Sequence, residues 1–257
     1  MAVCWIETTA LVTGASSGIG RALAIEMARR GARVGLLARR AEALDETVGE
    51  IQAVNGTALS LPTDVRDGEA VAAAVQKLRR SFGPVNMLIA NAGIGDLTPA
   101  TKFDAQRATE IIAINLVGAI NCVAAVLPDM LAQHRGHLVA VSSLAAYRGL
   151  PGSSAYSASK AGLSTFFESL RLDLRSSGVK VTIIHPGFIR TPMTEPRRGP
   201  MPYLLELPDA TSRIMRAIER ERRSYAFPWQ LATIVRLLRL LPDALYDRLM
   251  ERATLRR

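Results

Sequence analysis

A tyrosine and a lysine lie four residues apart in the segment Tyr156-Ser-Ala-Ser-Lys160. In a helix these side chains share one face, because residues i and i+4 are neighbours. A tyrosine hydroxyl titrates near ~10 in isolation, whereas proton exchange with an alkoxide at neutral pH requires a pKa of about seven. One cation about 4 Å away, at an effective dielectric of about 20, contributes about 4 kcal/mol and lowers a pKa by roughly three. The pair therefore predicts a tyrosine acid/base activated by a lysine.

Two further polar positions support this prediction, since Tyr-x-x-x-Lys alone is common by chance. Ser143 follows the apolar strand-like run that ends at Val141, thirteen residues before Tyr156. A serine there can donate a hydrogen bond to a substrate oxygen and stabilise developing charge. Asn115 lies within an otherwise apolar helical run, where it is either a hydrogen-bonded core residue or part of a proton relay.

A glycine-rich segment, Thr13-Gly-Ala-Ser-Ser-Gly-Ile-Gly20, lies between a predicted strand and a predicted helix. Its glycines allow a tight turn and a close approach of the backbone to a pyrophosphate, which the N–H groups of the helix start would face. The spacing of Gly14, Gly18 and Gly20 differs from the Gly-x-Gly-x-x-Gly fingerprint. The segment predicts a dinucleotide-binding turn, and an ordinary glycine-rich turn is the alternative.

The end of the second predicted strand indicates which dinucleotide binds. A ribose 2′-hydroxyl is recognised by an acidic residue at this point, whereas a 2′-phosphate needs a cation. This chain has Arg39 and Arg40 there, with no acidic residue before Glu42, and arginine grips phosphate through a bidentate fork. NADP(H) is therefore favoured over NAD(H), the alternative being two solvated arginines at a helix start.

Short apolar runs alternate with longer helical patterns as far as His185. Strands covered by helices on both faces read as nearly continuous apolar runs, and the alternation predicts a parallel sheet with right-handed crossovers. The predicted strands are 10–13, 33–38, 57–61, 85–90, 136–142 and 179–185, and the predicted helices are 20–30, 41–53, 68–82, 109–131 and 156–176. Six prolines between Pro186 and Pro208 predict a long irregular loop or lid beside the sheet.

The 257 residues suit one large α/β domain, and no linker divides them. Cys4 and Cys122 match no metal or redox spacing, so we interpret them as reduced thiols of an intracellular protein. We expect neither a signal peptide nor a membrane-spanning helix, because the chain has no N-terminal basic and apolar pattern and no run of 18 apolar residues. A cytoplasmic location is therefore expected.

The net charge of +9 is concentrated near the C-terminus, where positions 197–257 carry thirteen arginines against seven acidic residues. We find no nucleic-acid-binding motif and no aromatic residues interleaved with the basic ones, so no nucleic-acid partner is expected. A solvated basic face, an anionic membrane surface and an acidic substrate remain alternative explanations.

The segment from about 229 to 250 predicts an amphipathic helix followed by a second short helix from Pro242-Asp243. Arg236 and Arg239 lie off the apolar face of the first helix. That face consists of Leu231, Ile234, Val235, Leu238 and Leu241. The alternatives for it are packing against the domain or a dimer partner, and peripheral docking of a basic amphipathic helix on a membrane.

Together these motifs make the chain resemble the single-domain branch of the short-chain dehydrogenases/reductases. The matching pieces span roughly residues 8–195 and are Thr13–Gly20, Asp64-Val65, Asn91-Ala-Gly93, Asn115, Ser143, Tyr156-x-x-x-Lys160 and Pro186-Gly187. The resemblance implies one doubly wound Rossmann domain with a mostly parallel seven-stranded sheet and helices on both faces. The segment from about 193 to 257 would add a substrate loop and a C-terminal helical extension.

The resemblance also implies roles for individual residues. Tyr156 would be the general acid in reduction and the base in oxidation, while Ser143 would hold the carbonyl oxygen and Ser142 would be structural. Lys160 would bind the nicotinamide ribose and lower the pKa of Tyr156, and Asn115 would anchor a water linking Lys160 to solvent. The implied cofactor contacts are Gly14, Ser16, Ser17, Gly18, Ile19, Gly20, Arg39, Arg40, Asp64, Val65, Asn91, Ala92, Gly93, Tyr156, Lys160, Pro186, Gly187, Ile189 and Thr191.

The resemblance implies no metal, and His134, His137 and His185 are interpreted as surface or strand-end residues because they show no ligand spacing. It implies a small-molecule carbonyl or alcohol substrate and a homodimer or homotetramer. Apolar residues in the loop 192–208 favour an apolar or acyl-type substrate over a highly charged one. A catalytically silent NADP(H)-binding regulator and a membrane-peripheral interaction protein are the alternative functions, although the four catalytic-type residues are all present.

Overall fold

The computed structural model describes residues 3–195 and 199–254. Its strands are β1 (Thr9–Thr13), β2 (Arg33–Ala38), β3 (Thr57–Pro62), β4 (Met87–Ala90), β5 (Gly136–Val141), β6 (Val179–Pro186) and β7 (Ser224–Phe227). They form one seven-stranded sheet in the order β3-β2-β1-β4-β5-β6-β7, and every neighbouring pair is parallel. Parallel neighbours require crossover connections, which the helices supply.

The helices are α1 (Gly18–Arg29), α2 (Ala41–Ala53), α3 (Gly68–Phe82), α4 (Ala105–Ile112), α5 (Gly118–Ala132), α6 (Ser154–Asp173), α7 (Leu207–Glu219), α8 (Trp229–Leu240) and α9 (Asp243–Thr254). A π-helical segment, Ala113–Val117, joins α4 to α5. Short 3-10 helices occupy Trp5–Glu7, Ala100–Lys102 and Leu144–Ala146.

Two apolar cores lie on opposite faces of the sheet. Leu23 and Met27 of α1 pack with residues of α2 and α7 on one face, and Phe167 of α6 packs with residues of α3 and α5 on the other. Successive strand residues serve different cores, as Leu11 and Val12 do, because side chains alternate across a strand. The predicted doubly wound Rossmann fold is thereby confirmed.

The strands and helices predicted from the sequence pattern are all present, with ends shifted by a few residues. The pattern did not predict α7 or β7. Helix α7 begins beside the proline-rich loop with Pro208 in its first turn, a position where proline is tolerated because the N–H groups there have no intrahelical partner. Strand β7 has only four residues and lies at the edge of the sheet, which leaves a weak periodic signal.

The continuous helical stretch Ala105–Ala132 is long and apolar enough, by length and composition, to cross a membrane, whereas the sequence analysis expected no such helix. Within the fold this stretch connects β4 to β5 and buries Ile111, Cys122 and Val126. Packing against the sheet therefore explains the buried part of its apolar character, while Val117, Ile120 and Leu131 remain exposed.

Helices α8 and α9 form the predicted C-terminal extension. Leu231, Val235, Leu238 and Leu241 of the predicted apolar face are partly buried. Ile234, which the sequence analysis placed on the same apolar face, is 44 % exposed. It lies at the margin of that face, and the fully buried position of α8 is Ala232. Arg197, Arg198, Arg256 and Arg257, which contribute to the basic C-terminal count, lie outside the described residues.

Candidate active site

The glycine-rich turn leads from β1 into α1. Gly14 and Gly18 have φ values of +67° and +54°, a region that glycine enters without steric cost. A Cβ on Gly14 would lie 2.9 Å from the Cα of Ala92, and one on Gly20 would lie 2.4 Å from the carbonyl oxygen of Gly14. Gly20 therefore allows α1 to approach the turn closely. It lies against the main chain of the turn and is not part of the lining of the neighbouring cleft.

A cleft of roughly 330 Å³ opens at the carboxyl ends of β1 to β4, the edge where open α/β sheets bind ligands. The predicted cofactor contacts that line it are Gly14, Ser16, Ser17, Gly18, Ile19, Arg39, Arg40, Asp64, Val65, Asn91, Ala92, Gly93 and Thr191. It is also lined by Ala38, Thr63, Ile94, Ile114, Pro192 and Met193, which the sequence analysis missed. Several of these residues are adjacent in sequence to predicted contacts. Their position next to a motif at a strand end is the sequence signal that could have identified them.

Pro186, Gly187 and Ile189 do not line this cleft. A Cβ on Gly187 would lie 2.9 Å from Leu231 and 3.1 Å from Pro228, so Gly187 gives room to the start of α8. Ile189 is buried in the core between the sheet and α7. The chain returns to the cleft only at Thr191, whose methyl group lies 3.5 Å from the position of a Cβ on Gly18.

The side of the cleft at the end of β2 is cationic. Arg39 and Arg40 are exposed there, and Arg40 Nη2 donates to Ser16 Oγ at 3.3 Å. Asp64 is the acidic residue of the lining, and Arg66 Nη2 donates to its Oδ2 at 2.6 Å. This hydrogen bond, with a smaller contribution from Arg39, holds the pKa of Asp64 below its usual value. The only carboxylate in the lining is therefore already paired.

Asn91 ties the end of β4 to the end of β1. Its Nδ2 donates to the carbonyl oxygen of Thr13 at 2.9 Å, and Thr13 Oγ1 accepts from the N–H groups of Asn91 and Ala92 at 3.0 and 2.9 Å. The amide of Asn91 thus bonds to the main chain, and its contribution to the cleft is to hold the two strand ends in register.

Tyr156 and Lys160 lie one turn apart at the start of α6, beside residues of the cleft lining. Lys160 Nζ lies 5.9 Å from the centre of the Tyr156 ring and donates to the carbonyl oxygen of Val141 at 2.9 Å. Burial lowers the pKa of Lys160 to about 8, because a low dielectric disfavours the ammonium. A Cβ on Gly95 would lie 3.5 Å from Tyr156 Cε2 and 3.4 Å from Met193 Sδ, so the tyrosine ring lies beside residues at the mouth of the cleft.

Asn115 is fully buried in the π-helical segment. Its Oδ1 accepts from the N–H of Ile94 at 2.8 Å, and its Nδ2 donates to the carbonyl oxygen of Ile94 and to Ser159 Oγ. The side chain is therefore satisfied by the protein. A Cβ on Gly93 would lie 3.1 Å from Asn115 Oδ1 and 3.4 Å from Lys160 Nζ, so Gly93 allows these two residues to converge. The water relay stays a prediction.

Ser143 follows β5 and caps the short 3-10 helix Leu144–Ala146, where its Oγ accepts from the N–H of Ala145 at 3.1 Å. Its neighbour Ser142 donates to the carbonyl oxygen of Lys160 at 3.0 Å and pairs with Ser164 Oγ at 2.8 Å. Ser142 thus connects β5 to α6 below the site, as expected of a structural residue, while Ser143 lies at the strand end.

His185, which the sequence analysis interpreted as a surface or strand-end residue, is a neighbour of the site. Its Nδ1 lies 3.4 Å from the carbonyl oxygen of Ser143, and its ring centre lies 5.1 Å from that of Tyr147. Burial lowers the pKa values of His185 and His137 to about 4. These two histidines are strand-end residues as predicted, but they are buried, whereas His134 is exposed.

Cysteine and metal chemistry have little support among the described residues. Burial raises the pKa of Cys122 to about 12, so its thiol stays protonated at neutral pH. Cys4 is exposed and precedes β1 in the chain. The part of the chain that the structure describes contains no group of three or more His, Cys, Asp or Glu side chains arranged to hold a metal ion.

Residues 8–201 match the family described as short chain dehydrogenase. The chain belongs to this family. An "uncharacterized oxidoreductase" of Myxococcus xanthus is 46 % identical over 93 % of this chain and 94 % of its own length. A 3-oxoacyl-[acyl-carrier-protein] reductase of Synechocystis is 34 % identical over 92 % of this chain and 91 % of its own length.

Among solved structures, a short chain dehydrogenase/reductase from Burkholderia phymatum in complex with NAD is 27 % identical. It superposes with a TM-score of 0.83 over 90 % of this chain and 92 % of that one. Family membership makes this short-chain dehydrogenase an oxidoreductase with a fold that binds a nicotinamide dinucleotide. The predicted family is therefore confirmed.

Proposed function

We propose that this protein is an NADP(H)-dependent oxidoreductase that interconverts a carbonyl group and a primary or secondary alcohol. The observation that carries the proposal is the position of the Lys160 ammonium, 5.9 Å from the Tyr156 ring. The pair lies beside the cleft of roughly 330 Å³, which is lined by two arginines at the end of β2. A catalytically silent regulator would not need this convergence, so no observation favours that alternative.

The residues of the cleft fit a dinucleotide phosphate. The positive φ values of Gly14 and Gly18 shape a turn at the N-terminus of α1, where N–H groups and the helix dipole would hold a pyrophosphate. Arg39 and Arg40 would hold the 2′-phosphate, and Lys160 would bind the nicotinamide ribose. When bound, NADP(H) supplies or accepts the hydride.

Tyr156 would give a proton to the carbonyl oxygen during reduction and remove it from the alcohol during oxidation. With a pKa of about 8, Lys160 is mostly protonated at neutral pH. Its buried cation would stabilise the tyrosinate form, because charges interact more strongly where water is excluded. Ser143 Oγ accepts a hydrogen bond from Ala145, so its hydroxyl hydrogen can point to the substrate oxygen.

An apolar or acyl-type substrate is supported by exposed side chains of the loop 192–208. Met193, which lines the cleft, is 48 % exposed, and Tyr203 of the same loop is 47 % exposed. Apolar groups in these positions would lose contact with water when a substrate of matching chemistry covers them. The Synechocystis relative carries the name of a reductase of acyl-type ketones, which agrees with this substrate class.

We further propose a homodimer or homotetramer in the cytoplasm. Val117, Ile120 and Leu131, in or beside α5, are exposed, and a second copy would cover such an apolar helix face. Sedimentation at several protein concentrations tests the oligomeric state, and a monomer at all of them contradicts it.

Oxidation of NADPH with a panel of aldehydes, ketones and acyl-type ketones tests the reaction. Tyr156→Phe should lower turnover by about 10²- to 10⁴-fold, the contribution of a general acid, while NADPH binding measured by fluorescence changes little. Tyr147→Phe provides the matched loss of a hydroxyl nearby and should leave turnover largely intact. A fully active Tyr156→Phe variant would refute the mechanism.

A second measurement tests the cofactor. Arg39→Gln/Arg40→Gln should raise the KM for NADPH by about 10- to 100-fold, since hydrogen bonds to a charged group contribute roughly 1.5–3 kcal/mol. The same variant should leave the KM for NADH unchanged. If the native protein uses NADH as well as NADPH, the interpretation of Arg39 is wrong.

A further inference from the structure

Helix α8 is apolar on two opposite faces. It begins immediately after β7, at the carboxyl edge of the sheet where the cleft also opens. On its packed face, Ala232 is buried and Leu231 contacts the region of Gly187. This packed face accounts for the amphipathic pattern that the sequence predicts.

The opposite face of α8 is open to solvent and unusually apolar. Trp229, Leu237 and Leu240 are 71 %, 60 % and 79 % exposed, and positions i, i+8 and i+11 lie on one face of a helix. Arg236, at i+7, starts on the same side of the helix and is exposed, and its guanidinium lies 5.9 Å from the centre of the Tyr147 ring in the loop after Ser143. We call Trp229, Arg236, Leu237 and Leu240 the outer face of α8.

We propose that the outer face of α8 docks on the surface of an anionic lipid bilayer. Tryptophan and leucine beside arginine are the composition of helices that lie in a membrane interface, where apolar side chains enter the lipid and cations stay at the headgroups. Helix α8 contains no acidic residue. Two copies meeting through this face would bring their arginines together without an acidic partner in α8, so charge complementarity favours an anionic surface.

The outer face is held in place by the loop that follows Ser143. Arg148 Nη1 donates to the carbonyl oxygens of Leu238 and Leu241 at 2.9 and 2.7 Å, and its guanidinium lies 4.0 Å from the ring centre of Tyr246 in α9. Tyr246 donates to the carbonyl oxygen of Gly149 at 2.5 Å. Because one loop carries Ser143 and anchors α8, docking would bring the mouth of the cleft close to the lipid.

This placement also indicates where a substrate could come from. A lipid-soluble carbonyl compound could pass from the bilayer to the cleft, an inference that rests on the proposed function, whereas docking itself does not. The experiment therefore measures lipid binding without using activity.

Tryptophan fluorescence of the full chain tests docking, because Trp5 and Trp229 are its two tryptophans. In a Trp5→Phe variant, Trp229 is the sole reporter. Vesicles of phosphatidylcholine with phosphatidylglycerol should shift its emission to the blue and protect it from acrylamide, and vesicles of phosphatidylcholine alone should do so much less. In a Trp229→Phe variant, Trp5 is the sole reporter and its emission should not shift. This variant should still sediment with the vesicles, but more weakly than the native chain.

Two double variants should weaken co-sedimentation with the anionic vesicles. Leu237→Ser/Leu240→Ser should lower the partition coefficient by at least about tenfold, because each leucine loses its transfer from water. Arg236→Gln/Arg239→Gln should lower it by roughly fivefold for each charge, and high salt should have a similar effect.

Matched controls lie away from the outer face. Ile6→Ser removes a residue that is 77 % exposed near the amino end of β1, and Arg216→Gln/Arg220→Gln removes two exposed charges from α7 and its end. Both should bind vesicles as the native chain does. Equal weakening by the controls, or no binding of the native chain, overturns the proposal. So does a change of subunit association in Leu237→Ser/Leu240→Ser without any vesicle binding, which would assign the face to a second copy.

Discussion

Two regions of the molecule differ in how their side chains are held: the cofactor half, from β1 to β6, and the C-terminal helices α8 and α9. In the cofactor half, Asn91, Asn115 and Lys160 are each bound to a main-chain carbonyl of a neighbouring element. In the C-terminal helices, large apolar side chains are left exposed, and Arg148 and Tyr246 anchor the pair to the rest of the fold. Catalytic chemistry requires side chains that buried contacts hold in place, whereas a docking surface requires side chains that stay accessible.

The largest expected effect tests the buried cation of the cofactor half. Lys160→Met should lower kcat/KM by about 10³-fold, because it removes the charge that supports the tyrosine. The free energy of unfolding should hardly fall, since an apolar chain of similar length replaces a desolvated ammonium. Steady-state kinetics and urea unfolding measure the two quantities. Lys180→Met, at an exposed position of β6, should change neither kcat/KM nor the free energy of unfolding. Retained activity in Lys160→Met would show that catalysis does not need the buried cation.

A second prediction tests how tightly the glycine turn is packed. Gly20→Ala should destabilise the protein by about 3 kcal/mol, because its Cβ would lie 2.4 Å from the carbonyl oxygen of Gly14. Gly49→Ala, in the middle of α2 with open space around it, is the matched control. It should stabilise the protein by roughly 0.5–1 kcal/mol through helix propensity. Urea unfolding distinguishes them, and equal effects would contradict the packing argument.

A third prediction concerns the two buried histidines of the sheet. Burial lowers the pKa values of His137 and His185 to about 4, so between pH 6.5 and 4 the unfolded chain binds protons that the folded chain does not. Stability therefore falls as the pH drops through this window, and at pH 5 each histidine should contribute a loss of about 2 kcal/mol.

Urea unfolding at pH 7 and pH 5 measures this loss. His137→Asn should reduce the pH dependence, whereas His134→Asn, at an exposed position, should leave it unchanged. A native protein whose unfolding free energy is the same at both pH values would show that the two histidines titrate normally.

The smallest expected effect tests the anchor of the C-terminal helices. Arg148→Ala removes charged hydrogen bonds to the end of α8 and the contact with Tyr246, which should cost about 1.5 kcal/mol locally. Amide hydrogen exchange in α8 and α9 should quicken by about tenfold while exchange in β5 stays the same. Arg175→Ala, at an exposed position after α6, is the control, and faster exchange throughout the sheet would mean that the two regions are one cooperative unit.

Local spacing brought most of the predicted cofactor contacts into one cleft, because strand ends and helix starts of an α/β sheet meet at one edge. The resemblance assigned Pro186, Gly187 and Ile189 to the cofactor, whereas in the fold Gly187 lies against α8 and Ile189 lies in the core. His185 was missed because nothing in its local pattern indicates that it meets the carbonyl of Ser143, forty-two residues away.

Local sequence specifies the alternation of strands and helices, the glycine turn, the Tyr156–Lys160 spacing and the cations after β2, because each depends on neighbours within one or two turns of chain. The tertiary structure sets which side chains meet across elements: Asn115 with Ile94, Lys160 with Val141, and Arg148 with the end of α8. It also decided that α8 leaves a second apolar face in solvent. Helical periodicity specifies that two faces exist, but burial depends on what the remainder of the chain packs against them.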